Sequence, residues 1–268
     1  MSLTDSNVNV STTPTVAPDV PPASGSIWSG MSVAARTAVV GAAGVVATVG
    51  AMVAPTMQGP AQPPDLSTIN GCSMEGNAKA GQWQMTANPL KNRYTFPSGE
   101  SYDPSATLTG MVDAGTTDST GNPKTVTGVA GLFNEQNSAE IEGWITHVKV
   151  GGDESCNCNT NDVQYMDTHI YVGATATTPD SQCVIVEVTP RIRQLMSQQG
   201  VDWSTNTLIS TLTHQYVRIS GWLFYDQEHW ENASDNPQHA SLVWRASCWE
   251  IHPVTDIQIE ANPPAAPQ

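Results

Sequence analysis

CVIVEVTPRIRQLMSQQG, residues 183–200, is the stretch on which the fold turns. Its first six residues are almost all apolar and mostly β-branched, the composition of a central strand over 183–188. The chemistry then changes. Thr189 suits an N-cap, Pro190 the first helical position and Gly200 the stop, so the sequence predicts a helix directly after the strand. A second short helix is predicted over 204–212, with Ser204 as its cap.

Strand signals flank this junction on both sides. In EIEGWITHVKV, 140–150, Ile141, Gly143, Ile145, His147 and Lys149 fall on one face, and Glu142, Trp144, Thr146, Val148 and Val150 on the other. Gly151-Gly152-Asp153 closes that strand as a turn. MDTHIYVG (166–173) is the second strand, 183–188 the third, YVRISGWLFY (216–225) the fourth and LVWRASCWEI (242–251) the fifth. Residues 255–259 either extend the fifth strand or add an edge, and TVTGVAGLF (125–133) is a further strand candidate. Three strands, a helix and two strands are the order of an OB-fold. The expected class is mainly β: a small OB-like Greek-key barrel over 90–260, with a helical insertion between strands three and four.

Residues 1–36 are rich in Ser, Thr and Pro and read as disordered, because they bury too little apolar surface to offset ordering entropy. Residues 37–55, TAVVGAAGVVATVGAMVAP, carry no charge and follow Arg36. They read as a signal-anchor helix, as a cleaved signal starting at Met31, or as an apolar linker. In both membrane readings Arg36 leaves the bulk of the chain outside the cytoplasm, anchored or secreted. Residues 56–89 read as a Pro/Gly-rich linker and 261–268 as a disordered tail.

The 268 residues hold 10 Lys+Arg against 25 Asp+Glu, a formal net charge of -15. Nucleic acid is therefore an unexpected partner, since phosphate contacts need clustered bases. The only membrane contact expected is through residues 37–55.

Candidate chemistry lies in three short runs. The first is Glu154-Ser155-Cys156-Asn157-Cys158 with Asp167 and His169 after it. The second is Asp226, Glu228 and His229 at the end of the fourth strand, and the third is Trp249, Glu250 and His252 at the end of the fifth. Thiolate, imidazole and carboxylate are zinc ligands, so Cys156, Cys158, His169, His229 and His252 form a candidate metal set. In an OB barrel the loops after strands one and four bind ligands, which would gather these runs at one mouth. The Cys-x-Cys pair has other readings. It is equally read as oxidised, with Cys72 joined to Cys156 or Cys158, or as buried thiols. Trp144, Trp222, Trp244 and Trp249 serve either as ligand platforms or as core.

The runs KNR (91–93), ESCNC (154–158), DTHI (167–170), VEVTPR (186–191), GWLFYDQEH (221–229) and WEIHPVT (249–255) resemble, in this order, a family of uncharacterised bacterial proteins. The resemblance covers about residues 88–260 and implies that Cys156, Cys158, Asp167, His169, Asp226, His229, Glu250 and His252 are signature positions. It implies no activity.

Two functions follow as expectations. The first is an extracytoplasmic binding module for a ligand or protein partner, with Trp144, Asp167, Asp226 and Trp249 contacting the ligand and no cofactor required. The second is a metal-dependent hydrolase, with zinc on the Cys/His set and Glu228 or Glu250 as base. No G-x-S-x-G elbow, P-loop or dinucleotide fingerprint occurs.

Overall fold

Val217, Ile219 and Leu223 are buried on β4 (Tyr216–Tyr225), while Tyr216, Arg218, Ser220 and Trp222 between them are partly exposed. Such alternation turns one face of a strand to a core and the other outward. The computed structural model describes residues 64–115, 120, 122, 124–234, 241–261 and 263. In it β4 is one of five strands of a closed barrel, with β1 (Ser138–Val150), β2 (Thr168–Gly173), β3 (Val184–Val188) and β5 (Trp249–Ile259), in the order β1-β2-β3-β5-β4. Neighbours are antiparallel except β3 and β5, which run parallel through Val186 and Ile251. A parallel pair needs a long connection, and here the connection contains α4 (Pro190–Gln198), α5 (Thr205–Leu212) and β4. Thr189 Oγ1 caps α4 by accepting from the Ile192 amide, and Ser204 Oγ caps α5 by accepting from that of Thr207.

Four expectations are corrected. In β1 the inward positions are Ile141, Gly143 and Ile145, but then Val148 rather than His147 and Lys149. A bulge between Ile145 and His147 inserts one residue and flips the phase. Residues 125–133 form no strand; Thr125 caps a short helix, α3 (Val126–Ala130). The fifth strand begins at Trp249 instead of 242 and runs on to Ile259, because Arg245 is drawn inward by buried carboxylates.

The fourth correction concerns the segment read as a linker. The folded part begins well before residue 90. Leu66 is 1% exposed, Cys72 is buried, and α1 (Gln84–Lys91) ends with the Lys91 side chain buried. Composition obscured this, because the segment is held through its backbone. The buried Arg191 guanidinium donates to the carbonyls of Leu66, Cys72 and Ser73 and to Asn92 Oδ1. A disulfide joins Cys72 to Cys158 across 86 positions.

α2 (Leu108–Ala114) and α3 add Met111, Ala114 and Val129 to the barrel core. Gly221 lies where β4 crosses β5; a Cβ there would come within 2.3 Å of the Pro253 carbonyl oxygen. The readings of 1–36 and 37–55, and nearly all of 261–268, fall outside the described residues. No described helix is long and apolar enough to cross a membrane.

Candidate functional site

The alternation that fills the barrel also sends the intervening residues to its outer wall. Ile170, Val186 and Ile251 belong to the core. His169 and Glu187 are register partners on β2 and β3, and Glu250 and His252 flank Ile251 on β5, so all four take the opposite face. Asp167 directly precedes β2 and Asp226 follows β4. On a bare barrel these six groups would meet water. Residues 154–158 and the segment from Leu66 to Asn92 cover them, and none is more than 5% exposed.

The result is a continuous buried chain of charged groups. Lys91 pairs with Glu154. Glu154 Oε1 lies 3.7 Å from His169 Nε2, which lies 3.2 Å from Glu187 Oε1. Glu187 Oε2 is 3.5 Å from His252 Nδ1, and that nitrogen donates to Glu250 Oε1 at 3.1 Å. Arg245 donates to Glu250 Oε2 at 2.7 Å and to Asp226 Oδ2 at 3.0 Å. Asp226 also holds His229 Nδ1. Asp167 Oδ2 lies 3.7 Å from His252 Nε2 and accepts from the Cys156 thiol at 3.8 Å.

Burial penalises every charge here, and the outcome depends on the neighbours. It pushes Asp167 up to about 6, with His252 opposing. It works against protonated His169, yet Glu187 and Glu154 outweigh it and hold that imidazole at about 10. His252 is raised in the same way, by Glu187, Glu250 and Asp167 against burial. Glu187 is lowered despite burial by His169 and His252, and Glu154 well lowered by Lys91 and His169. Burial and the carboxylates of Glu154 and Asp167 push the Cys156 thiol far up, so it stays protonated.

Three sets of donor atoms lie within 4.8 Å of one another: Glu154, His169 and Glu187; Glu154, Cys156 and Asp167; and Asp167, Glu187 and His252. Beside the first set a cleft of about 590 Å³ opens to solvent. Its walls come from the connection after β1 (Gly152 to Ser155 and Asn159), from Glu228 and His229 after β4, and from Asn77, Lys79, Gln82 and Gln84. Glu154, His169 and His229 belong to both the cleft and the buried chain.

The fold therefore brings Cys156, Asp167, His169, Asp226, His229, Glu250 and His252 together, on the barrel wall beneath a cover rather than at an open mouth. It separates others from them. Cys158 is no metal thiolate, because its sulfur is bonded to Cys72. Trp249 is no ligand platform: it is fully buried in the core and donates its indole N–H to the Val129 carbonyl. Trp144 packs edge-on against Tyr216, outside the cluster. Glu228 stands on the cleft wall, accepting from Gln84, while Glu250 is enclosed between Arg245 and His252. His229 is committed to Asp226 through Nδ1. Lys91, Glu187 and Arg245 are not among the expected site residues, and Glu154 stands in the first candidate run without a role. For two of them a signal exists, a single charge inside an otherwise apolar run: Glu187 in CVIVEV and Arg245 in LVWRASCW.

Comparison of the chain with protein-family models, curated proteins and solved structures finds no match.

Proposed function

We propose that this chain is a binding module on an OB-type barrel, working outside the cytoplasm, which takes a small polar ligand into the cleft beside the charged cluster. One observation carries the reading: the cleft is walled by the connections after the first and fourth strands, the two that bind ligands in OB barrels. The closed order β1-β2-β3-β5-β4, its parallel β3–β5 pair and the helices between β3 and β4 support the OB assignment. The Cys72–Cys158 disulfide supports an oxidising compartment, in agreement with a signal or anchor over 37–55. The amides of Asn77, Gln82, Gln84 and Asn159 line the cleft, bonded internally to Asn159, Lys79, Glu228 and Asp153, and a ligand rich in hydroxyl or amide groups suits them by exchanging with those contacts.

The hydrolase alternative loses Cys158 as a zinc thiolate, since its sulfur is bonded to Cys72. Of its two candidate bases only Glu228 faces the cleft. The test is a titration of the ¹⁵N-labelled full chain with neutral mono- and disaccharides, free amino acids and a short oligonucleotide. A sugar or amino acid is expected to shift the four cleft amides, and Gln84→Ala to weaken it about tenfold. A response to the oligonucleotide alone, or to none of the probes, overturns the reading.

A further inference from the structure

Beneath the cleft, five polar atoms of the buried cluster have no hydrogen-bond partner among the described residues: Asp167 Oδ1, Glu187 Oε2, His252 Nε2 and both ring nitrogens of His169. The residues that carry them are at most 5% exposed, and Asp167, Glu187 and His252 at most 1%. Buried polar atoms normally find partners, so five orphans in one cluster require an explanation. Asp167, Glu187 and His252 also bring donors within 4.8 Å of one another.

The surroundings of His252 narrow the explanation. Its Nδ1 donates to Glu250 Oε1 at 3.1 Å, and Glu250 is itself held by Arg245 at 2.7 Å. A carboxylate on one ring nitrogen is the arrangement that orients a metal-binding histidine; the ion would bind at the other nitrogen in place of the proton that the surrounding carboxylates favour there. That other nitrogen, Nε2, points toward Asp167, with Oδ2 at 3.7 Å. Lys91 is engaged with Glu154 and Arg245 with Asp226 and Glu250, while His169 faces Glu187 Oε1 at 3.2 Å and the His252 ring faces Oε2 at 3.5 Å.

We propose that Asp167, Glu187 and His252 bind one divalent transition-metal ion, reached from the cleft past Glu154 and His169. Two carboxylates and an imidazole suit zinc, manganese or iron, whereas magnesium and calcium take all-oxygen sets. Ligand distances of about 2.0–2.2 Å fit within the observed donor spacing after small side-chain shifts. Glu154 and His169, which line the cleft and stand 3.7 and 3.2 Å along the chain to Glu187, form the access route. Cys156 lies beside Asp167 as a neutral thiol, its S–H donating to Oδ2 at 3.8 Å, and is not part of the ligand set. The site differs from the Cys/His zinc set expected from the sequence, and it does not depend on the cleft taking an organic ligand.

The test titrates the metal-free full chain with Zn²⁺, Co²⁺, Mn²⁺ and Mg²⁺ by calorimetry, and follows Co²⁺ by its visible d–d absorption. One equivalent of Zn²⁺ or Co²⁺ is expected to bind, with Mg²⁺ inert. Histidine side-chain ¹H–¹⁵N spectra should move His252 Nε2 and leave the half-buried His147 and exposed His214 unmoved. Glu187→Gln should lower affinity at least about a hundredfold and Glu250→Gln about ten- to a hundredfold. If Glu187→Gln fails to fold, Glu250→Gln and the His252 signal decide. Absence of stoichiometric binding, metal shifts at His147 or His214 instead of His252, or unchanged affinity in folded Glu187→Gln overturns the site. Metal binding that persists in Gln84→Ala supports the metal site even if no organic ligand is found for the cleft.

Discussion

Replacing Cys72 and Cys158 together by alanine opens a covalent loop whose ends are 86 positions apart. Loop-closure entropy assigns such a crosslink about 4.6 kcal/mol at 25 °C, within the roughly 2–5 kcal/mol seen when native bridges are removed from small secreted domains. The loss falls mainly on the unfolded state. In the folded state the segment keeps its other attachments: Arg191 still donates to the carbonyls of Leu66, Cys72 and Ser73 and to Asn92 Oδ1. Urea unfolding followed by tryptophan fluorescence and far-UV circular dichroism should therefore show stability reduced by about 2–5 kcal/mol. The m-value should rise, because the uncrosslinked denatured chain is more open. Wild-type protein in a reducing agent should reproduce both changes. A stability change below about 1 kcal/mol with m unaltered would refute the reasoning, since it would mean that the covering segment is bound independently of the barrel's unfolding.

Other perturbations test the interior and the site. Arg245→Met leaves Asp226 and Glu250 buried without their shared cation and should cost about 3–5 kcal/mol in thermal or urea unfolding; a loss under about 1 kcal/mol would show that those carboxylates reach water. Trp249→Phe removes the indole donor from the Val129 carbonyl, which keeps the Leu132 amide, and leaves space in the core; it should destabilise by about 1–3 kcal/mol while leaving cleft binding intact. Lost binding at unchanged stability would restore Trp249 to the site. The imidazole of His229 is raised by Asp226, against burial. A raised folded pKa makes its contribution full below about pH 6.5 and lost as pH climbs through the folded value. The urea midpoint of the wild type should therefore exceed that of His229→Gln at low pH, and the gap should narrow on the alkaline side. A gap that widens with rising pH rules out this pairing.

Much of the framework is legible in the residues themselves, because the signals are local. β4 occupies the ten residues whose alternation marks it, and the caps of α4 and α5 sit on Thr189 and Ser204. A hydroxyl at an N-cap and a period of two act within a few residues, so they survive whatever the rest of the chain does. The Cys/His/Asp runs were also recognisable as reactive residue types before any geometry.

Tertiary structure decided where those types end up and what they become. Whether a carboxylate on an outer strand face meets water or a low-dielectric interior depends on what lies over it, and the cover here is a distant segment whose Pro, Gly and Asn content looks like linker. It is fixed by backbone carbonyls accepting from Arg191 and by a crosslink to Cys158, neither of which leaves a periodic trace. The bulge after Ile145 likewise reverses the facing of His147 and Val148 without any change in composition. Residue type and spacing determined the strands and helices; long-range burial alone made Asp167, Glu187 and His252 a site, because desolvation is set by the whole fold and not by neighbours in the chain.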